Sequence, residues 1–223
     1  MKSPIILSPS KDTPLPPGKF QLLYADPPWA TTLWSGDHRT PTQKRGEDHY
    51  ATLTLDQLKA IPVEAAAAKN ALLAMWTIGS HLDQALDLGR AWCFSYSTDL
   101  FYWAKQKRLR PDQLDLFTGD IAEAKLGMGK HSRKQVEPCL LFTRGKGLKV
   151  HDHAVRQLIV APAREHSRKP EQARDGLERL YGPDVTRLEL FSRTPRPGWS
   201  HWGNETGKFS DLPERLSKGE ELM

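Results

Sequence analysis

The sequence predicts an α/β fold with a mostly parallel central sheet flanked by helices. Two observations point to it. Short apolar runs of strand length alternate along the chain with segments whose apolar residues recur at helical spacing. The first of those runs also ends on an acidic residue followed by two prolines, and in open α/β sheets the carboxyl ends of strands are where ligands sit.

Taken in order, Pro14, Pro16, Pro17 and Gly18 break any regular element, and residues 20–25 then read as a buried strand ending at Asp26 and Pro27. Residues 55–60 predict a short helix, and 71–77 a second buried strand. Leu82, Leu86 and Leu88 mark a helix that Gly89 is expected to end. Residues 94–103 alternate aromatic with polar side chains, and 138–143 and 157–161 are further apolar runs. The segment 170–181 is the best helix: Pro170 suits its first turn, Glu171 suits the dipole there, and Ala173, Leu177 and Leu180 share one face before Gly182-Pro183 stops it. Residues 187–191 form a last strand. Residues 106–135 show no apolar period and read as a long loop, a kind of segment that is usually functional or disordered. One domain is expected over residues 1–209, with 210–223 as a polar, flexible tail.

Composition narrows the class. No stretch approaches the roughly 18 uncharged apolar residues of a membrane span, and the start of the chain is too short to be a signal-peptide core, so a soluble, cytoplasmic protein is expected. Cys93 and Cys139 stand alone and read as small core residues of a reducing compartment. The formal net charge is +5, and between Trp103 and Val150 eleven Lys or Arg stand against five Asp or Glu, so this one stretch carries more than the whole excess. Basic residues clustered in this way fit a nucleic-acid partner. The tetrapeptide His-Ser-Arg-Lys occurs at 131–134 and again at 166–169, through chance or through shared anion contact. His151-Asp152-His153 offers two imidazoles without a third ligand, which is poor support for zinc, so no metal is expected.

Asp26-Pro27-Pro28-Trp29 is the segment that carries chemistry. The exocyclic amine of adenine is a poor nucleophile because its lone pair is delocalised into the ring. Acceptors placed on its two N–H groups favour the bent geometry that attack requires, and Asp26 with the Pro27 carbonyl can supply them. Consecutive prolines stiffen the loop and remove competing donors. Trp29 offers a flat surface for an unstacked base. The alternative is a rigid surface turn with Trp29 as core filler, against which the full tetrapeptide after an apolar strand favours the site.

In this loop, Tyr24-Ala25-Asp26-Pro27-Pro28-Trp29 resembles the catalytic motif of the adenine amine methyltransferases related to the catalytic subunit of mRNA adenosine methyltransferase, a family with bacterial and phage members. Further stretches match in the same order. They are Tyr50-Ala-Thr-Leu-Thr54, Tyr102-Trp103-Ala-Lys105, Gly127-Met-Gly129 through Arg133 to Glu137-Pro-Cys-Leu, and Arg144-Gly145. Arg164 to Glu171, Leu188-Glu-Leu-Phe191-Ser-Arg193, and Gly198-Trp199 with Gly203-Asn204-Glu205 complete the series, so the similarity spans roughly residues 20–206.

The resemblance implies a Rossmann-like S-adenosylmethionine-dependent fold with permuted motif order, the strand 188–191 following the catalytic loop rather than preceding it. It implies Lys169 on the methionine carboxylate of the cofactor, and Arg193 and Asn204 with Glu205 on the ribose and neighbouring groups. Tyr50, Lys105, Arg133 and Glu137 fall where the family lines its acceptor pocket. His166 shapes its loop rather than acting as a base. Upstream of the catalytic loop, Asp12 is the sole acid between Ile5 and Phe20. DNA is the favoured acceptor, because compact members without added RNA-binding modules resemble bacterial and phage proteins; RNA adenosine is the alternative. The resemblance is also compatible with a homodimer or a heterodimer with a related subunit. A non-catalytic nucleic-acid-binding partner is a third reading, which the complete loop, Lys169, Arg193 and Asn204 oppose.

Overall fold

The computed structural model describes residues 6–7, 14–30, 52–106, 131–163 and 168–203. The expected tail 210–223, most of the expected loop 106–135, and Tyr50, His166, Asn204 and Glu205 lie outside the described residues.

Among the described residues eight strands form one sheet: β1 (Ile6–Leu7), β2 (Phe20–Ala25), β3 (Ala67–Trp76), β4 (Ser95–Gln106), β5 (Val136–Arg144), β6 (Leu158–Pro162), β7 (Arg187–Leu190) and β8 (Ser200–Trp202). Their spatial order is β1-β8-β7-β2-β3-β5-β4-β6. Every neighbouring pair is parallel except the two made by β5, which runs against both β3 and β4. The helices are α1 (Leu55–Lys59), α2 (Val63–Ala66), α3 (Leu82–Ala91) and α4 (Glu171–Tyr181), with a 3-10 turn at Gly79–His81. This is the mostly parallel α/β sheet expected.

Helices cover both faces. Leu23, Ala25, Leu73 and Met75 point to the layer holding Leu58, Val63, Ala85 and Leu88, whereas Leu22, Tyr24, Leu72, Ala74 and Trp76 pack with Ala173 and Leu177 of α4. A strand covered on both faces reads as an unbroken apolar run, which is why β2 and β3 stand out in the sequence. No helix among the described residues is long and apolar enough to cross a membrane.

Three details depart from expectation. Gly89 does not end α3; it lies inside the helix, where a Cβ would come within 2.3 Å of Phe142 Cε1, so the missing side chain lets α3 settle onto β5. The face of α3 turned to the core is Ala85, Leu88 and Gly89, and Leu82 is exposed. Cys139 is a core residue as expected, but Cys93 is exposed: it takes a left-handed φ of 63° in the turn after α3 and its thiol donates to Glu64 at 2.8 Å.

From β2 the chain proceeds to β3 on one side of the sheet, and from β7 it proceeds to β8 on the other. The neighbours β2 and β7 therefore form the point where the winding reverses. A crevice opens beyond the carboxyl ends of strands at such a point. Asp26 stands at the end of β2, and Phe191, Ser192 and Arg193 stand at the end of β7.

Candidate active site

Strong local constraints hold the loop that follows β2. Pro28 O accepts from Leu53 N at 2.9 Å, and Ala30 N donates to Leu53 O at 3.3 Å, so the loop pairs like a short parallel strand with the segment that leads into α1. That segment is itself fixed by a capping box in which Thr54 and Gln57 exchange backbone and side-chain hydrogen bonds. Trp29 is only 7% exposed and its indole N–H donates to Trp76 O at 3.2 Å. The flat surface expected for an unstacked base is therefore not presented, and Trp29 instead anchors the loop to β3. The Pro27 carbonyl already accepts from Trp29 N at 2.9 Å, which engages one of its two lone pairs.

Asp26 ends a chain of charged contacts that reaches β5 and β4 through Lys169. Lys169, on the approach to α4, places its ammonium 2.9 Å from Asp26 Oδ1 and 3.4 Å from Glu137 Oε2. Expected on a cofactor carboxylate, Lys169 here has these two side-chain carboxylates as partners. Glu137, on β5, also pairs with Lys105 on β4. Lys105 lies over the Trp103 ring at 4.9 Å, and Lys169 lies 5.7 Å from the Trp76 ring centroid. Four of the expected site residues thus form one chain of alternating charge, Lys105, Glu137, Lys169 and Asp26. Arg133 lies exposed in the segment before β5.

Burial alone would push the Glu137 carboxyl up, but the ammonium groups of Lys169 and Lys105 outweigh it and hold the carboxyl below its ordinary range. A carboxylate lowered on folding contributes stability above its unfolded value, and loses it as pH falls through the folded value. Glu137→Gln should therefore be less stable than the parent at neutral pH, with the deficit shrinking below about pH 4. Denaturant unfolding across that range checks this; a deficit independent of pH contradicts it.

The crevice between β2 and β7 is lined by Tyr24, Asp26, Lys169, Glu189, Phe191 and Arg193, among others. Beneath it lies a polar group that sequence reading missed. Arg174 of α4 is buried and donates to Glu189 at 2.9 Å and to Thr194 O at 3.1 Å, and it pairs with Glu171. Glu189 also accepts from Ser192 Oγ at 3.2 Å and lies 3.3 Å from His201 Nδ1. The signal was present: an acid in the middle of a strand covered on both faces needs a buried partner. Phe191, at φ 58°, turns the chain sharply out of β7 toward Arg193. Arg196 clamps the same loop to α4 through Glu178 at 2.8 Å and Asp175 at 2.6 Å. Gly203 lets the end of β8 close against it, because a Cβ there would lie 2.5 Å from Ser192 N.

A wider open depression of about 820 Å³ lies at the other end of α4, lined by His151, Asp152, Arg179 and Arg187 among others. Its charges are engaged locally: Arg179 pairs with Asp152 at 2.6 Å, and Arg187 donates to the carbonyls of Gly182 and Pro183 beyond the helix end. Among the described residues no group of three or more His, Cys, Asp or Glu is arranged to hold a metal ion.

The family model for MT-A70 matches residues 20–205, from the start of β2 across the whole crevice. The type II methyltransferase M.MunI of a Mycoplasma species is 30% identical over 204 residues, covering 86% of this chain and 79% of that protein. The human N(6)-adenine-specific methyltransferase METTL4 is 30% identical over 197 residues, covering 86% of this chain but 39% of its own length. The catalytic subunit METTL3 of human N(6)-adenosine-methyltransferase is 28% identical over 194 residues, covering 84% of this chain and 28% of its own length. With Asp26 and its two prolines at the reversal point of the sheet, and a match that extends over most of its length, the chain belongs to the MT-A70 family.

Proposed function

We propose that this chain transfers a methyl group from S-adenosylmethionine to the N6 amine of adenine in DNA, as one methyltransferase domain over residues 1–209 working in the cytoplasm. The observation that carries the reading is the position of Asp26, on a braced loop at the mouth of a crevice where Lys169, Arg174, Glu189 and Arg193 converge. The donor set fits the cofactor. A methionine end with one carboxylate, one ammonium and a sulfonium needs both cationic and anionic partners, and the crevice offers both.

When bound, S-adenosylmethionine supplies an electrophilic methyl on a sulfonium sulfur. Asp26 and the remaining lone pair of Pro27 O accept from the two amine hydrogens, so the nitrogen lone pair turns out of the purine plane toward that methyl. The sulfonium would give up its methyl to that lone pair and leave as a neutral thioether, and the surplus proton of the amine would pass to solvent. Positive charge develops on the nitrogen during transfer, so the Asp26 contact strengthens at the transition state. Lys169, itself paired with Glu137, holds Asp26 in place through a charge-assisted contact.

DNA as acceptor is supported by the shares of the relatives covered, most of the type II methyltransferase but less than a third of METTL3. The test offers purified protein labelled S-adenosylmethionine with equal amounts of DNA and RNA oligonucleotides of one adenine-containing sequence. Label should enter the DNA. Preferential labelling of RNA would move the acceptor to RNA, and cofactor binding without transfer to either would favour the non-catalytic partner.

A further inference from the structure

We propose that His81 is a positioning residue for the catalytic loop, setting the Asp26 and Pro27 acceptors through the carbonyl of Ala30. The inference rests on the function proposed above. His81 closes the 3-10 turn between β3 and α3 and is only 8% exposed. Its ring joins the catalytic loop to that turn: Nε2 lies 3.0 Å from Ala30 O, Nδ1 lies 3.0 Å from Ser80 Oγ, and the ring centroid is 6.0 Å from that of Trp29. A carbonyl oxygen can only accept, so Nε2 carries a proton and donates to Ala30, while Nδ1 shares a hydrogen bond with the Ser80 hydroxyl. The turn that holds the ring is itself fixed, with His81 N donating to Ile78 O at 2.8 Å and His81 O accepting from Thr77 Oγ1 at 3.3 Å.

The catalytic loop is thus tied on three sides: to Leu53 through its backbone, to Trp76 O through the Trp29 indole, and to His81 through Ala30 O. The Leu53 tie holds Pro28 and, through a longer bond from its N–H, Ala30; the indole tie holds Trp29. The His81 tie fixes the other polar group of Ala30, its carbonyl, at the far end of the loop. A planar ring with a polar nitrogen at each end suits this place, because both ends have partners and the ring lies tilted against Trp29. Releasing it leaves the chemistry of Asp26 unchanged but widens the range of positions its carboxylate samples.

Two variants separate positioning from bulk stability. His81→Ala removes the tie; His81→Gln keeps an N–H donor at about the reach of Nε2. In single-turnover transfer to an adenine-containing oligonucleotide, His81→Ala should be slower by about 10- to 100-fold, the scale of a misplacement near 1 Å. S-adenosylmethionine affinity should stay within about twofold, because the ring touches the loop and not the crevice floor. His81→Gln should recover most of the rate. Hydrogen exchange of the peptide spanning the catalytic loop, followed by mass spectrometry without any substrate, should quicken in His81→Ala and return toward the parent in His81→Gln. Parent-like rate and exchange in a folded His81→Ala protein would overturn the proposal, as would equal defects in both variants, or failure of both to fold. A parent that methylates no adenine would instead overturn the function, and the exchange comparison still decides the tie.

Discussion

Asp26→Asn should give a folded protein whose methyl transfer is slower by about a hundredfold to a thousandfold, the usual consequence of losing one preorganised contact in a water-poor site. The replacement nearly preserves shape, so the loop keeps its ties to Leu53 and Trp76. It also puts an amide NH₂ where a carboxylate oxygen stood. Asp26 faces two sets of hydrogens, those of the Lys169 ammonium 2.9 Å away and those proposed for the incoming amine. An amide turned to satisfy one presents a donor to the other. Lys169 retains Glu137, so the fold loses little. The effect should appear in the transfer step and not in cofactor affinity, which single-turnover rates and a binding titration separate. A folded variant with the parent rate would remove Asp26 from the mechanism.

Trp29→Ala should act mainly on stability, lowering it by about 3 to 5 kcal/mol as large buried aromatic truncations do. The side chain is nearly buried within the layer formed with Leu23, Met75 and Leu88, and its indole N–H satisfies Trp76 O. Truncation leaves a cavity and removes that donor. Trp29→Phe keeps much of the volume and loses the hydrogen bond, so it should cost less, about 1 to 3 kcal/mol. Denaturant unfolding of the two variants measures both. Were Trp29 instead a platform for the base, stability would barely change and only the nucleic-acid KM would rise.

The sequence made most of the scaffold legible, for physical reasons. The strands β2 and β3 show because both faces are covered, and α4 shows because its start, its apolar face and its glycine stop all agree. The strand β8 and the helix α2 are too short for any period to emerge. Gly89 was misleading because a glycine that ends a helix and one that admits a neighbouring ring look alike until Phe142 is in place. The site divides in the same way. Asp26 is readable from its two prolines and its place after an apolar run, but its contact with Lys169 depends on α4 and β7 returning beside β2, which only the sheet order reveals. Trp29 could equally serve as core or as surface, and burial alone decides it. His81 carries no local signal, because its partner Ala30 is brought near only by the fold.

The identity of the methylated nucleoside is the most direct test of the central claim. Protein incubated with labelled S-adenosylmethionine and duplex DNA, followed by digestion and mass spectrometry, should yield label in N6-methyldeoxyadenosine, and the Asp26→Asn protein should leave almost none. Label in N4-methylcytosine, or no methylated nucleoside from DNA or RNA while the cofactor is bound, would contradict the account.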